Sequence, residues 1–297
     1  MTKLFVFFVA LTTLFTSSCT RSDAEASYKP VIHRAATYSP PTPYVGNYFY
    51  ANNTNTQQSL TGTLTTARTN APWVLAIHGG YWNGGSPSEM QQFVDTFYGR
   101  GWQVFNMEYR RGVGVTFHDQ KADLISARDF ILAHAAWFHL DPAKGTVVGV
   151  SAGGHLAAIL GNLGTFKSVV SIAGVLQPQR LPLLANPTTQ EAYLAQRAAL
   201  MVGCPYSDDQ TTQCGQDWRE FEPQYGLTAN SPATYVMHGL DDTTVPPETA
   251  TSYNYWLGYN GINRMLVMCA GYGHSTADLF DYPDRVDTML SFVVASY

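Results

Sequence analysis

The chain reads as an α/β protein: a mostly parallel sheet flanked by helices, with an inserted cap. Three observations predict this. Short β-branched and aromatic runs alternate with helix-like segments from about residue 73 to the end, the pattern of strands joined by helical crossovers. The runs are apolar on successive residues rather than alternately, as in strands buried on both faces. Finally, 297 residues with 45% hydrophobic and only 13% charged side chains can bury one large core.

The elements follow in order. Residues 1–18 place one Lys before an apolar run at 4–15 and then small residues, which reads as a secretory signal peptide. The run is too short for a permanent span, which needs about 20 apolar residues. Thr16-Ser-Ser-Cys19 resembles a bacterial lipobox without its usual Leu, and there Cys19 would be lipidated and become the mature N-terminus. Ala24-Glu-Ala26 is a competing cleavage site of the small-x-small kind. Either way the chain is expected to be exported, as a periplasmic protein or a lipoprotein anchored to the membrane through lipidated Cys19. Residues 19–43, polar and Pro-rich towards their end, read as a tether to a domain at 44–297. Strands are predicted at 73–77, 103–107, 146–150, 169–173, 234–237 and 265–268, and helices at 89–98, 123–138 and 248–259. Residues 176–228 break the alternation, and a structureless loop of that length is improbable. They are read as the cap, with helix at 190–201.

Export shapes the cysteine reading. Cys204 and Cys214 bracket a short polar loop and are expected to pair in an oxidising compartment. That leaves Cys269 as a lone buried small hydrophobe. No CxxC pair or HExxH helix occurs, so neither a metal nor another cofactor is expected. The formal net charge of −5, with no basic cluster beyond Arg110-Arg111, argues against nucleic acid as a partner.

The chemistry-bearing motifs fall after strands. Gly149-Val-Ser151-Ala-Gly153 lies between the strand at 146–150 and a helix-like run. This is the setting a nucleophile elbow needs, with glycines relieving a sharp turn that projects Ser151. A serine hydroxyl needs a base, and the base an orienting acid. Asp241 and Asp242 follow the strand at 234–237, and His274 follows the last strand, so all three roles land at C-terminal strand ends, where ligands of such sheets gather. Before them, His78-Gly-Gly-Tyr81-Trp82-Asn-Gly-Gly85 follows the first buried strand. Glycine is poor in a strand interior, so these residues serve a loop in which bare backbone approaches a ligand.

With those residues in place the chain resembles an α/β-hydrolase, in the serine esterase and acylhydrolase branch with an HGG-type oxyanion loop. The pattern HGxxDxxVP, matched from His238 to Pro246, selects Asp242 over Asp241. The resemblance implies a triad of Ser151, Asp242 and His274. It also implies an oxyanion hole from the N–H groups of Gly80, Tyr81 and Ala152, with Tyr81 and Trp82 beside the substrate. His78, Glu108 and Arg110 are read as structural, and His155 as packed; His118, His134 and His139 are read as solvated or structural. HGG-x-W is shared by kynurenine formamidases and by bacterial enzymes resembling feruloyl and other carbohydrate esterases. The implied function is an exported serine carboxylic-ester hydrolase that works through an acyl-enzyme on small or carbohydrate-linked esters. An arylformamidase or amidase is the alternative. A non-catalytic binding protein on the same fold predicts a damaged triad, and here every role is filled.

Overall fold

The computed structural model describes residues 19–21, 41–51 and 55–297. The expected signal peptide at 1–18 and most of the expected tether lie outside them. In chain order the strands are β1 (Cys19–Arg21), β2 (Tyr44–Phe49), β3 (Ser59–Leu64), β4 (Ala71–Ile77), β5 (Gln103–Met107), β6 (Leu140–Val150), β7 (Ser168–Ile172), β8 (Ala233–Gly239) and β9 (Arg264–Cys269). They form one sheet in the order β1-β9-β8-β7-β6-β4-β5-β3-β2. From β9 to β5 every neighbour is parallel. β3, β2 and β1 extend the two edges antiparallel.

β4 shows why the middle strands are apolar on every residue. Trp73, Leu75 and Ile77 enter one core cluster while Val74 and Ala76 enter another across the sheet, and all five are fully buried. Truncating one such aliphatic side chain to Ala costs about 2–5 kcal/mol. On the first face lie α2 (Phe117–Ala133), through Phe117, Leu124, Ala127 and Ile131, and α3 (Ala152–Asn162), through Leu156 and Leu160. On the second lie α1 (Gln91–Gly99), through Phe93 and Phe97, and the C-terminal helix at Pro283–Ala295, through Met289 and Val293.

The cap at 176–228 is built on α4 (Thr189–Val202) and α5 (Gln213–Phe221). Thr188 and Glu191 form a reciprocal capping box that starts α4, and Gly203 at φ 90° ends it, a standard start and stop pair. The Cys204–Cys214 disulfide ties the turn just after α4 to the first turn of α5. Leu194, Ala198, Met201, Trp218 and Phe221 are buried in the same cluster as α2 and α3, so the cap is part of the main core. The remaining helices are α6 (Glu248–Tyr259), α7 (Ala277–Phe280) and α8, the Pro283–Ala295 helix already placed.

Several expectations are corrected. Cys269 is not alone: it is disulfide-bonded to Cys19, and β1 pairs with β9 so that these two residues face each other in register. A disulfide sulfur has no valence left for a lipid thioether, so this cross-link and lipidation of the Cys19 sulfur exclude each other. Residues 19–21 are therefore an edge strand and not tether. α2 begins at 117 rather than 123, because Asp119 accepts from the Thr116 N–H at 2.9 Å and caps an earlier start. β2 and β3 were not predicted; Gly46 and Gly62, which face each other across the pair, weaken the strand signal.

Candidate active site

β6 ends at Val150 and α3 begins at Ala152, which leaves Ser151 alone to turn the chain, at φ 56° and ψ −123°. A non-glycine residue held there costs on the order of 1–3 kcal/mol and persists only where its surroundings enforce it. Here the Ser151 N–H donates to the Ile172 carbonyl at 2.9 Å, and the Ser151 carbonyl accepts from His155 at 3.1 Å. The flanking glycines permit the crossing. A Cβ on Gly153 would lie 2.2 Å from the Ile77 oxygen and 2.4 Å from the His78 oxygen, and one on Gly149 would lie 2.1 Å from the Gly153 oxygen.

His274, on the loop after β9, reaches Ser151 Oγ with Nε2 at 2.9 Å. Its Nδ1 reaches Asp242 Oδ2 at 2.7 Å. Asp242 Oδ1 accepts the N–H groups of Thr244 at 2.8 Å and Val245 at 2.9 Å. Burial would raise the Asp242 carboxyl, but the contacts of His238 and His274 and the Val245 N–H outweigh it and hold the group well below the usual range. Asp242 is thus a fixed anion. Asp241, its neighbour, is exposed, so burial separates the two carboxylates that sequence alone leaves adjacent.

The glycine loop abuts the serine. A Cβ on Gly79 would stand 3.1 Å from Ser151 Cβ. Gly80, Tyr81 and Trp82 follow with φ of 110°, 56° and 57°, and the Gly80 carbonyl closes the turn by accepting from Asn83 at 2.9 Å and Gly84 at 2.8 Å. Among the described residues the N–H groups of Gly80, Tyr81 and Ala152 donate to no protein acceptor. They are free to face a ligand oxygen.

Below the loop His78 is buried, with Nδ1 2.7 Å from the Gly79 oxygen and Nε2 3.1 Å from Glu108 Oε1. Tyr109 stacks on it at 4.4 Å and its hydroxyl donates to the His78 carbonyl at 3.0 Å. Burial raises the Glu108 carboxyl, but His78 and Arg111 outweigh that and bring it down. Arg110 is held by Asp123 at 2.9 Å and by Asp119 at 3.1 Å. None of these side chains reaches Ser151.

Trp82 departs from expectation. Its ring is fully buried, its Nε1 donates to His155 Nδ1 at 3.2 Å, and Phe221 of the cap packs at 5.3 Å. It offers no surface to a substrate; it anchors the loop from beneath. Tyr81 is half-buried and meets Tyr193 of α4 edge-on at 5.1 Å, so an aromatic corner stands beside the loop. Sequence reading missed Tyr193 because no local signal reports where a cap helix docks. It also passed over His238, which is buried against Asp242, although that residue opens the motif already quoted.

Among the described residues one group has metal-binding geometry, His118, Asp217 and Glu220 at the junction of α2 and α5. It lies on other elements than Ser151, His274 and Asp242. No helix among the described residues is long and apolar enough to cross a membrane.

The BD-FAE family model matches residues 64–257, a span that includes the glycine loop, the elbow and Asp242. A probable carboxylic ester hydrolase LipM of Mycobacterium tuberculosis is 25% identical over 201 residues, which cover 65% of this chain and 45% of that relative. A truncated carbohydrate esterase from gut microbiota superposes with a TM-score of 0.74 at 18% identity, over 88% of this chain and 98% of its own. Esterase B of Lactobacillus rhamnosis, inhibited by C6-C4 SN3, gives 0.72 at 18% over 87% and 89%. Esterase 2 of Thermogutta terrifontis, phosphonylated by sarin, gives 0.67 at 23% over 88% and 95%. At such identities these structures establish a shared α/β-hydrolase fold.

Proposed function

The chain belongs to the BD-FAE family, and from that premise we propose that it is a serine carboxylic-ester hydrolase acting through an acyl-enzyme. The observation that carries the reading is the unbroken relay from Ser151 through His274 to Asp242, at 2.9 and 2.7 Å. Ser151 Oγ attacks the ester carbonyl carbon as His274 Nε2 takes its proton. The carbonyl oxygen, now an anion, turns to the N–H groups of Gly80, Tyr81 and Ala152. His274 returns the proton to the departing alkoxide as the C–O bond breaks. Water then enters by the same route and releases the acid. Asp242 holds the imidazole and balances its charge, and each oxyanion donor is worth roughly 10²–10³ in rate. No step calls on a cofactor.

Small or carbohydrate-linked esters are the proposed substrates. The aromatic corner of Tyr81 and Tyr193 supports that choice, because a flat apolar face suits a sugar ring or short acyl group. Export is the proposed setting, supported by the apolar N-terminal run and by two disulfides, which persist in oxidising compartments. With Cys19 cross-linked, the exported form is proposed without lipid on that sulfur.

Hydrolysis of p-nitrophenyl esters from acetate to dodecanoate, with Ser151→Ala alongside, tests the reading. Activity on short chains should fall by up to about 10⁶ in the variant. A folded wild type that cleaves no ester and takes no label from a fluorophosphonate would overturn it. Cleavage of formamides alone would move the reading to the arylformamidase alternative.

A further inference from the structure

Asp242 is faced by two histidines, and only one of them belongs to the relay. His238, at the end of β8, is fully buried. Its Nε2 donates to the Val245 carbonyl at 3.0 Å and stands 3.0 Å from Asp242 Oδ2, the same oxygen that His274 Nδ1 contacts. His238 Nδ1 is buried and has no partner among the described residues. The ring therefore uses a single N–H, aimed at the turn that carries the triad acid. The Val245 N–H in turn donates to Asp242 Oδ1 at 2.9 Å. Resting on the esterase reading, we infer that His238 is a positioning residue: it clamps the Asp242–Val245 turn and shares the negative charge of Oδ2 with His274.

Two consequences follow. The clamp fixes where Oδ2 sits. A carboxylate oxygen free to move about 1 Å would let the imidazole swing from Ser151, and misplacement of that size costs on the order of 10²-fold. The second consequence is electrostatic. An N–H dipole 3.0 Å from Oδ2 draws charge away from the oxygen that stabilises the imidazolium. Removing that dipole leaves Oδ2 more attractive to a proton on His274, and the pH range in which His274 acts as a base moves upward. Asp242, His274 and the Ser151 hydroxyl are the groups that face this cluster from the loop after β8, the loop after β9 and the elbow; Asp241 is exposed, with its own N–H donating to the Tyr272 carbonyl.

The test compares His238→Gln, whose side-chain amide keeps an N–H, with His238→Leu, which keeps bulk and loses the donor. It reads kcat and KM on p-nitrophenyl acetate, melting temperature, and the NMR titration of the His274 ring protons, which needs no substrate. The inference expects His238→Leu to lose roughly 10–100-fold in kcat with KM unchanged and its His274 titration to move to higher pH. His238→Gln should stay near wild type in both. Equal losses in the two variants, or an unmoved His274 titration in a folded His238→Leu protein, would overturn it. An inactive wild type that still showed the shift would sink the esterase reading and leave the clamp standing.

Discussion

Gly153→Ala offers the sharpest check on the elbow. The added methyl would sit 2.2 Å from the Ile77 carbonyl oxygen and 2.4 Å from that of His78, and a relaxed carbon–oxygen contact lies near 3.3 Å. The missing distance is therefore about 1 Å. Both neighbours are backbone, at the end of β4 and the start of the glycine loop, so no flexible side chain can absorb it. Either α3 lifts off the sheet or the loop does, and each motion parts Ser151 and the Ala152 N–H from Gly80 and Tyr81. Overpacking of this kind costs typically 1–3 kcal/mol, or roughly 2–12 °C in a domain of this size. The displacement should also lower kcat on p-nitrophenyl acetate by about 10²-fold. Gly99→Ala is the control, since a Cβ there meets nothing within 4 Å, and its melting point and activity should hold or rise slightly. A Gly153→Ala protein with wild-type kcat and melting temperature would refute the reasoning.

Three further outcomes can be measured. His155 is buried, and burial brings its ring down to about 4 from 6.5. The unfolded chain thus binds the proton first, and stability falls as pH drops from 6.5 towards 4. The difference of 2.5 units corresponds to about 3 kcal/mol, visible in urea melts across that range. His155→Gln should be less stable at pH 7 and lack the slope, so its gap to wild type closes towards pH 4; the same slope in the variant would place its origin elsewhere. Glu222 is raised well above its ordinary value by burial, against one N–H from Gln179, and its Oε2 has no partner among the described residues. A raised carboxyl stabilises fully below the unfolded value and loses that contribution as pH rises, so Glu222→Gln should raise the melting temperature at pH 8 and not at pH 4. Finally, thiol counting under denaturing conditions should find no free thiol until reductant is added, since no free cysteine is present among the described residues. The 250-residue separation of Cys19 and Cys269 gives Cys19→Ser a loss of up to about 5 kcal/mol on the loop-entropy account. A lipid-modified Cys19 would instead appear as a mass increment, with Cys269 free.

Much of the fold was legible because its signals are local. The strands at 103–107, 146–150 and 265–268 announce themselves as apolar runs, since a strand covered on both faces has no polar side to show. The turn at Ser151 and the strand-end positions of Asp242 and His274 were legible too, because glycine spacing and strand ends sit in the chain itself. Cys19 and Cys269 were not. Neither has a local mark of a partner, and they meet only because β1 adds antiparallel to β9 at the sheet edge. The same holds for Trp82, whose sequence position beside Tyr81 suggested a substrate contact. Consecutive left-handed residues send the two side chains apart, one to the cap-facing corner and one into the core.

The sequence by itself determined the α/β class, the place of Ser151, Asp242 and His274 at the strands' C-terminal ends and the glycine loop before them, since each rests on periodicity or on what one residue type permits its own backbone. The tertiary structure decided that Asp242 is buried while Asp241 is exposed, that a second histidine, His238, stands against Asp242, how the cap's Tyr193 meets Tyr81 and that Cys19 joins Cys269. Those outcomes depend on burial and, for Tyr81 with Tyr193 and Cys19 with Cys269, on contacts between residues more than a hundred positions apart. A one-dimensional pattern holds no record of such distances.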